Sequence, residues 1–321
     1  MERPFFSVII PARNAAATLT RCIDSLRRQS YPADGVEVIV VDHDSSDDTA
    51  AIAVRYGAAV YRGNFSCVSA VRNFGAHKAR GRVLAFLDAD IVADENWLAA
   101  GARYYAEGRF AGLLGFTDRA PPDAHWVGRA WNDPARQGYC RTGRTDFLSS
   151  RNMMIPADVF HAAGGFDESE LFEGGMAGED KDFSYRCSFK GIAVIRDASL
   201  PGMIHLGCDK SLAEFMRKEW WRQGNALHIA AGRGWNIRLL RAPCLAVTHV
   251  GMAAAVLAFM AMKRFGAAAL CGLAWCVPSA LILARRCDRR CGLMQWGRFW
   301  FLTWIRWNIA GCAIVSRLWR R

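Results

Sequence analysis

Short β-branched and aromatic runs alternate with stretches of helical periodicity through the first ninety residues, and few folds accept that alternation. Residues 6–10 read as a buried strand ended by Pro11, and residues 15–28 as a helix with Leu19, Cys22, Ile23 and Leu26 on one face and Asn14 as its cap. Residues 36–41 form a second strand. The loop Asp42-His43-Asp44-Ser45-Ser46-Asp47-Asp48-Thr49 then leads into a helix to Tyr56, with Ser45 or Ser46 as N-cap. Residues 58–61 are a third strand, residues 67–79 a helix closed by Gly81, and residues 83–87 a fourth strand. A βαβαβαβ order at this spacing calls for right-handed crossovers and a parallel, doubly wound α/β sheet that binds ligands at the carboxyl ends of its strands. Asn14, Asp42 and Asp88 all fall at such ends.

Beyond that repeat, residues 94–107 read as a helix and 111–116 as a strand. Residues 117–145, interrupted by Pro121, Pro122 and Pro134, read as a long variable excursion of the kind that binds substrate. Residues 147–155 return to strand, Pro156 opens a helix at its permitted first position, and Gly164-Gly165-Phe166-Asp167 ends it. A Gly-rich segment, 173–178, runs into a helix over 179–190. That places Asp180 in a first turn, where free backbone amides favour the ionised carboxylate.

The fourth strand ends in Asp88-Ala89-Asp90. Asp-x-Asp occurs three times (Asp42/Asp44, Asp88/Asp90, Asp180/Asp182) where chance alone supplies about one, so context must decide its meaning. Paired carboxylates at the carboxyl end of a strand suit a hard divalent cation held against a diphosphate. Asp42, Asp47 and Asp48 also admit a plain helix-capping reading, and Lys78 a solvated helix face.

Charge is distributed unevenly. Residues 211–321 carry 17 Lys/Arg against 3 Asp/Glu, whereas the first 210 carry 24 against 27. The same last third holds two runs without a formal charge, residues 242–262 and 265–284, each near the ~20 apolar residues that span a bilayer. An anionic membrane surface is therefore the expected partner of the basic excess, and nucleic acid is not. A hairpin of transmembrane helices and a pair of buried core helices both remain open as readings. Arg233, Arg238 and Arg241 before the pair, and Arg285, Arg286, Arg289 and Arg290 after it, put both outer flanks in the cytoplasm and the Lys263-Arg264 turn outside. Residues 285–321, with Trp296, Trp300, Trp304 and Trp307 at helical spacing among basic residues, read as an interfacial helix. Residues 211–241 read as an amphipathic juxtamembrane helix and linker. No signal peptide pattern opens the chain, so residues 1–210 are expected in the cytoplasm, at the inner face of the cell membrane. Eleven Cys without a CxxC pair read as reduced, packed thiols, and Cys287/Cys291 lack the neighbours a zinc site needs.

Five ordered blocks, FSVIIPARN, VEVIVVDHDSSDDT, VRNFGAHKARGRVLAFLDAD, SSRNMMIPADVFHAAGGFDE and GEDKDFSYRCSFKGIAV, together resemble the family 2 glycosyltransferases, inverting enzymes of the GT-A fold that use nucleotide-sugar donors. The match covers residues 5–205. A C-terminal apolar pair after an EWWR helix is similar to bacterial exopolysaccharide glycosyltransferases of the succinoglycan type. The resemblance implies a GT-A catalytic domain over 1–210, with Pro11, Ala12, Arg13, Asn14, Asp42, Asp44, Arg72, Asn73, Asp88 and Ala89 around the nucleotide-sugar. It implies Mg2+ or Mn2+ on Asp90 and Asp88 with His205 near the metal, and Asp180 as the base assisted by Glu179. Asn152, Trp221 and Arg222 are implied acceptor contacts, and Asp182 is expected on the surface. In the acidic loop His43 and Asp44 replace the family's usual second Asp and Gly, which bears on the identity of the nucleotide. The Gln-x-x-Arg-Trp signature of processive members is missing, which favours transfer of a single sugar. The implied donor is a UDP-sugar and the acceptor a lipid-linked or saccharide hydroxyl. The alternative is a non-catalytic membrane scaffold or sensor that keeps the nucleotide-sugar site.

If 242–284 is a membrane hairpin, the full chain sediments with membranes in detergent-free buffer while a chain ending at Ser211 does not; both remaining in the supernatant would refute it.

Overall fold

A computed structural model describes residues 3–107, 112–137, 141–169, 178–200, 202–223, 237–288 and 291–319. The glycine-rich segment expected at 173–177, and Arg233, Arg289 and Arg290, lie outside the described residues. The chain divides into two compact units, one comprising most of residues 1–207 and the other residues 122–138 and 208–321.

The first unit is built on an eight-stranded sheet. The expected alternation appears as β1 (Phe6–Ala12), α1 (Ala16–Arg27), β2 (Val36–His43), α2 (Thr49–Arg55), β3 (Ala59–Gly63), α3 (Val68–Lys78) and β4 (Val83–Leu87). These four strands are parallel in the order β3-β2-β1-β4. Contrary to expectation, β1 continues through Pro11 to Ala12. Pairing with β4 stops at Ile9, so the N–H that proline lacks is not required by that neighbour.

After β4 come β5 (Ile91–Val92), α4 (Trp97–Ala106), β6 (Leu113–Phe116), α5 (Trp126–Trp131), α6 (Pro134–Gln137), β7 (Gly143–Arg144), β8 (Asn152–Pro156), α7 (Ala157–Ala163), α8 (Glu179–Phe189), β9 (Val194–Asp197) and β10 (Ile204–His205). The sheet is mixed rather than wholly parallel. Strand β8 lies between β4 and β6 and runs against both. It is shorter than the strand expected over 147–155, because Phe147 to Arg151 make loop contacts instead: Leu148 N–H donates to Ser184 Oγ, and the Phe147 carbonyl accepts from Arg196. Pro156 closes β8 and caps α7 with φ −56° and ψ 137°, so the helix starts one residue later than expected; Gly164, at φ 83°, ends it.

Neither serine nor Asn14 caps as expected. Ala15 and Asp48 occupy the N-cap positions of α1 and α2. The first amides of α1 are met from the neighbouring loop: Ala15 N–H donates to Thr49 Oγ1 at 2.8 Å and Ala16 N–H to Asp47 Oδ2 at 3.0 Å. The carboxyl ends of β1 and β2 are thereby tied together before any ligand arrives.

Both faces of the sheet are covered. Val83, Ala85 and Leu87 of β4 enter one apolar cluster with Leu19, Ile23 and Trp97, while Leu84 and Phe86 enter another with Phe160, Phe166 and Phe183. The Phe86 ring sits 5.3 Å from Phe160 and 5.2 Å from Phe166.

The second unit is helical: α5 and α6 join α9 (Leu212–Gln223), α10 (Ile237–Ala261), α11 (Phe265–Arg286) and α12 (Leu293–Trp319). Leu240–Ala261 and Phe265–Arg286 are long and apolar enough to cross a membrane. The stretch read as an interfacial helix is one 27-residue helix in which Trp296, Trp300 and Trp307 pack into apolar clusters while Trp319 is exposed. Trp307 is buried against Ala246, and the Trp304 ring lies 4.7 Å from Trp275. Gly311 lets α12 approach α10 so closely that a Cβ there would stand 2.2 Å from the Ala246 carbonyl oxygen. Arg306 Nε lies 3.3 Å from buried Glu219, which supplies the counter-charge that the sequence pattern did not reveal.

Truncating Phe86 to Ala is expected to cost about 3–5 kcal/mol, read as a fall of several degrees in the melting temperature of the detergent-solubilised chain.

Candidate active site

The end of β4, the first half of α3 and the start of α8 carry the site. Asp88 and Asp90 follow β4, Arg72 projects from α3, and Glu179 and Asp180 open α8. Arg72, 3% exposed, donates from Nη2 to Asp88 Oδ1 and from Nη1 to Glu179 Oε1, both at 2.9 Å. The two carboxylates share one guanidinium, so Arg72 ties the Asp88-Ala89-Asp90 turn to the start of α8.

Asp180 is half-buried, and its Oδ1 accepts from Lys181 N–H at 2.7 Å. The first-turn position was expected to keep it ionised. Burial, and after it the charge of Glu179, push its carboxyl up to about 7 against the pull of Arg72. A helix-terminus effect of about 0.3–1 kcal/mol is too small to offset desolvation of that size. Asp182, expected on the surface, is 1% exposed and accepts from Arg186 Nε at 2.8 Å, while the rest of that guanidinium caps the Ala163 and Gly165 carbonyls.

Around the cation motif, β10 pairs antiparallel with β5 so that His205 stands opposite Ile91, and Leu206 N–H donates to the Asp90 carbonyl. His205 Nε2 thereby lies 3.4 Å from Asp90 Oδ2. Burial opposes ionisation of Asp90, yet His205 and Arg151 hold its carboxyl below the usual range. A Cβ on Gly207 would fall 2.0 Å from Asp90 Oδ2 and 3.1 Å from His205 Nε2, so glycine leaves this corner open. These residues fit Mg2+ or Mn2+. Among the described residues no group of three His, Cys, Asp or Glu side chains stands ready to hold a metal ion; Asp90 and His205 would supply two ligands to a cation that commonly completes its shell with substrate phosphates and water.

At the ends of β1 and β2, Asp42 is fully buried. Its Oδ1 accepts from Ser45 N–H at 3.2 Å and from the Ser45 hydroxyl, and its Oδ2 accepts no hydrogen bond among the described residues. Arg62 Nε lies 3.6 Å from that oxygen, and Arg62 Nη2 donates to the Ser45 carbonyl at 2.7 Å. Asp44 adopts φ 47°, the left-handed conformation natural to the family's glycine and tolerated by aspartate, and its exposed carboxylate accepts from Arg62 Nη2 at 3.3 Å. Asn14, at φ 50°, accepts from Ser46 N–H. Pro11 and Ala12 line the end of β1, Ala89 is buried between the two aspartates, and Arg13 is exposed with Nη1 3.4 Å from His43 Nε2. His43 Nδ1 accepts from Phe65 N–H, so Nε2 carries the proton of a neutral ring and cannot accept from Arg13.

Two expected ligand contacts are structural. Asn73 donates to the Phe166 carbonyl at 2.8 Å and to Glu168, and accepts from Phe166 N–H, which clamps the Gly-Gly-Phe-Asp turn. Asn152 is buried and accepts from Phe116 N–H at 2.9 Å, pinning β6 to β8. Lys78 is exposed on its helix face, as expected, with Nζ over the Tyr61 and Phe74 rings. Trp221 and Arg222 belong to the helical unit, where Trp221 is exposed and Arg222 donates to Glu219. Sequence reasoning missed Arg62, Arg151, Asp118 and Gly207. A basic residue at the end of β3 was a usable signal for Arg62. Arg151 had none, because only the antiparallel placement of β8 brings it beside Asp88, whose N–H donates to the Arg151 carbonyl.

Residues 7–166 match Glycosyl transferase family 2. The chain is also 33% identical to the putative glycosyltransferase EpsH of Bacillus subtilis, over 71% of this chain and 68% of that protein. The chain belongs to glycosyl transferase family 2. It is 36% identical to glycosyltransferase AglE of Haloferax volcanii over 30% of this chain and 34% of that one. It is 29% identical to validoxylamine A glucosyltransferase of Streptomyces hygroscopicus over 59% and 52%. The chain thus spans from a third to about half the length of these two relatives. The fold is similar to that of the mannosyltransferase PcManGT of Pyrobaculum calidifontis, solved with GDP-Man and Mn2+, with TM-score 0.67 at 20% identity over 100% of this chain and 89% of that one. S. aureus TarS 1-349 gives TM-score 0.52 at 20% identity over 69% and 65%. The GT-A architecture expected from the sequence is borne out.

Arg72→Ala strands two carboxylates and is expected to cost about 3–5 kcal/mol of stability, with Arg72→Lys intermediate; thermal melts of the two variants check this order.

Proposed function

We propose that this chain transfers a sugar from a nucleoside-diphosphate donor to an acceptor hydroxyl with inversion, and that Asp180 is the base. The observation that carries the reading is the Asp88–Arg72–Glu179 bridge, which ties the start of α8, with Asp180 in its first turn, to Asp88 after β4, where the diphosphate would lie. Inversion needs one base to take the acceptor proton while the diphosphate leaves from the opposite side of the anomeric carbon. Asp180, with its carboxyl raised to about 7, accepts a proton more readily than an ordinary aspartate does. Oδ2 of Asp42, which accepts no hydrogen bond among the described residues and lies 3.6 Å from Arg62 Nε, would take an N–H of the base, with Pro11 to Asn14 beside it. Held by Asp90 and His205 with Asp88 beside it, Mg2+ or Mn2+ would screen the charge gathering on the leaving diphosphate. The UDP-GlcNAc complex of TarS and the GDP-Man complex of PcManGT support a nucleotide-sugar donor of either base; a UDP-sugar is the reading adopted.

For the acceptor we propose a lipid-linked or other cell-envelope saccharide at the cytoplasmic face of the membrane. Leu257, Phe265, Leu270 and Leu273 stand exposed on the two long apolar helices, and an apolar surface of that kind suits a bilayer. A basic last third adds attraction to anionic lipid.

Membranes containing the chain, given UDP- and GDP-sugars with lipid-linked acceptors, are expected to show transfer that Asp180→Asn lowers by at least a hundredfold; donor binding without transfer in wild type would point to a scaffold. The rate rises with pH through about 7 as Asp180 loses its proton. Glu179→Gln removes a neighbouring negative charge, so the acid limb moves to lower pH; a limb that stays put would refute the assignment of Asp180.

A further inference from the structure

Arg62 has no task in the reading above, although the sheet sets it beside the carboxylate that would meet the base. Strands β2 and β3 pair in a register that puts Arg62 opposite Asp42, one residue before β3 ends. One nitrogen of its guanidinium is taken up by the acidic loop: Nη2 donates to the Ser45 carbonyl at 2.7 Å and to Asp44 Oδ1 at 3.3 Å. With Nη2 engaged there, Arg62 Nε stands 3.6 Å from Asp42 Oδ2, beyond hydrogen-bond range. Nε and Nη1 donate to no group among the described residues. The Arg62 side chain is 56% exposed, whereas Asp42 is fully buried and its Oδ2 accepts no hydrogen bond among the described residues.

A buried acceptor and a charged donor therefore stand side by side at the ends of β2 and β3, both with capacity left. Such a pair matches a ring edge on which an N–H adjoins a carbonyl oxygen. Uracil has that edge in N3–H and O4. Read from position 2 to position 4, uracil presents acceptor, donor, acceptor, whereas cytosine presents acceptor, acceptor, donor. No slide of the cytosine ring along that edge places a donor before an acceptor. Asp42 alone could still accept from the cytosine 4-amino group once the ring slides, but that slide leaves C5–H at Arg62. Two contacts in one case and one in the other separate the two bases, because a charged hydrogen-bonding group without its partner is costly.

We propose that Arg62 is a specificity-determining residue for the donor nucleotide: with Asp42 accepting from N3–H, Arg62 donates to O4 and so favours uracil over cytosine. Ser45 and Asp44 hold Nη2, which keeps the guanidinium from closing onto Asp42 and leaves both groups open to the base. This rests on the reading of Asp42 as the acceptor of the base's N–H.

The test uses the full detergent-solubilised chain in MgCl2, titrated with UDP and with CDP by isothermal titration calorimetry. Wild type is expected to bind UDP about tenfold more tightly than CDP, or better. Arg62→Met keeps the length of the side chain and removes every donor; it is expected to bring the ratio to within about threefold, chiefly by weakening UDP. A role confined to holding the acidic loop would weaken both nucleotides together and leave the ratio at its wild-type value, which would overturn the proposal. Equal affinity of wild type for UDP and CDP would also overturn it, while leaving Asp42 as an acceptor that serves either base. Asp42→Asn tests the reading beneath: it is expected to weaken UDP, and UDP binding at wild-type affinity would overturn that reading and the proposal with it. Should Asp42→Asn fail to fold, the ratios of wild type and Arg62→Met decide alone.

Discussion

One buried guanidinium, that of Arg72, is shared by carboxylates that lie 91 positions apart in the sequence, and the site depends on that sharing. Asp88 and Glu179 would repel each other in a desolvated setting. With Arg72 between them that repulsion is offset, and α3, the end of β4 and the start of α8 are locked into one geometry. The same contact leaves Asp180 as the carboxylate of its dyad without a guanidinium on its own side chain, which is why burial and the charge of Glu179 can raise its proton affinity. Two adjacent carboxylates thus have separate tasks set by their surroundings.

A parallel half-sheet delivers the nucleotide-facing residues, and an antiparallel insertion completes the centre. Strands β1, β2 and β4 end together, which brings Asn14, Asp42 and Asp88 to one edge. Strand β8 enters from the opposite direction, so its amino end, with Arg151 just ahead of it, reaches the same edge. Strand β10 does likewise for His205 through its pairing with β5. The polar cluster around Asp90 is therefore assembled from four separated segments, those of Asp90, Asp118, Arg151 and His205, and no local pattern announces it.

In the helical unit, polar and ionic groups are paired where a hydropathy profile sees only interruptions. Arg306 breaks an apolar stretch in the sequence, but it meets buried Glu219. Asn308 likewise accepts from Trp275 Nε1 at 3.0 Å and donates to the Trp304 carbonyl. Tryptophans at helical spacing can face a membrane interface or a neighbouring helix, and periodicity alone does not distinguish the two.

Strand and helix alternation, the acidic turns at strand ends and the two long apolar helices follow from hydrophobic periods of 2 and 3.6 and from runs without charge, all of which are local properties. Asp42, Asp88, Asp90, Glu179 and Asp180 were legible for the same reason, as motifs beside element boundaries. Pairing across the fold was not legible. Asn73 and Asn152 look like ligand-binding amides in the sequence, yet they satisfy backbone groups of distant turns and strands. Asp182 looks like a solvated helix residue, yet it is buried against Arg186. Whether a carboxylate is raised or lowered in proton affinity, and which groups meet the two nitrogens of His205, depends on burial and on partners far away in the chain. The sequence alone determined the elements and the acidic residues at their ends; only tertiary structure decided which charges meet, because desolvation and hydrogen bonding act across space and not along the chain.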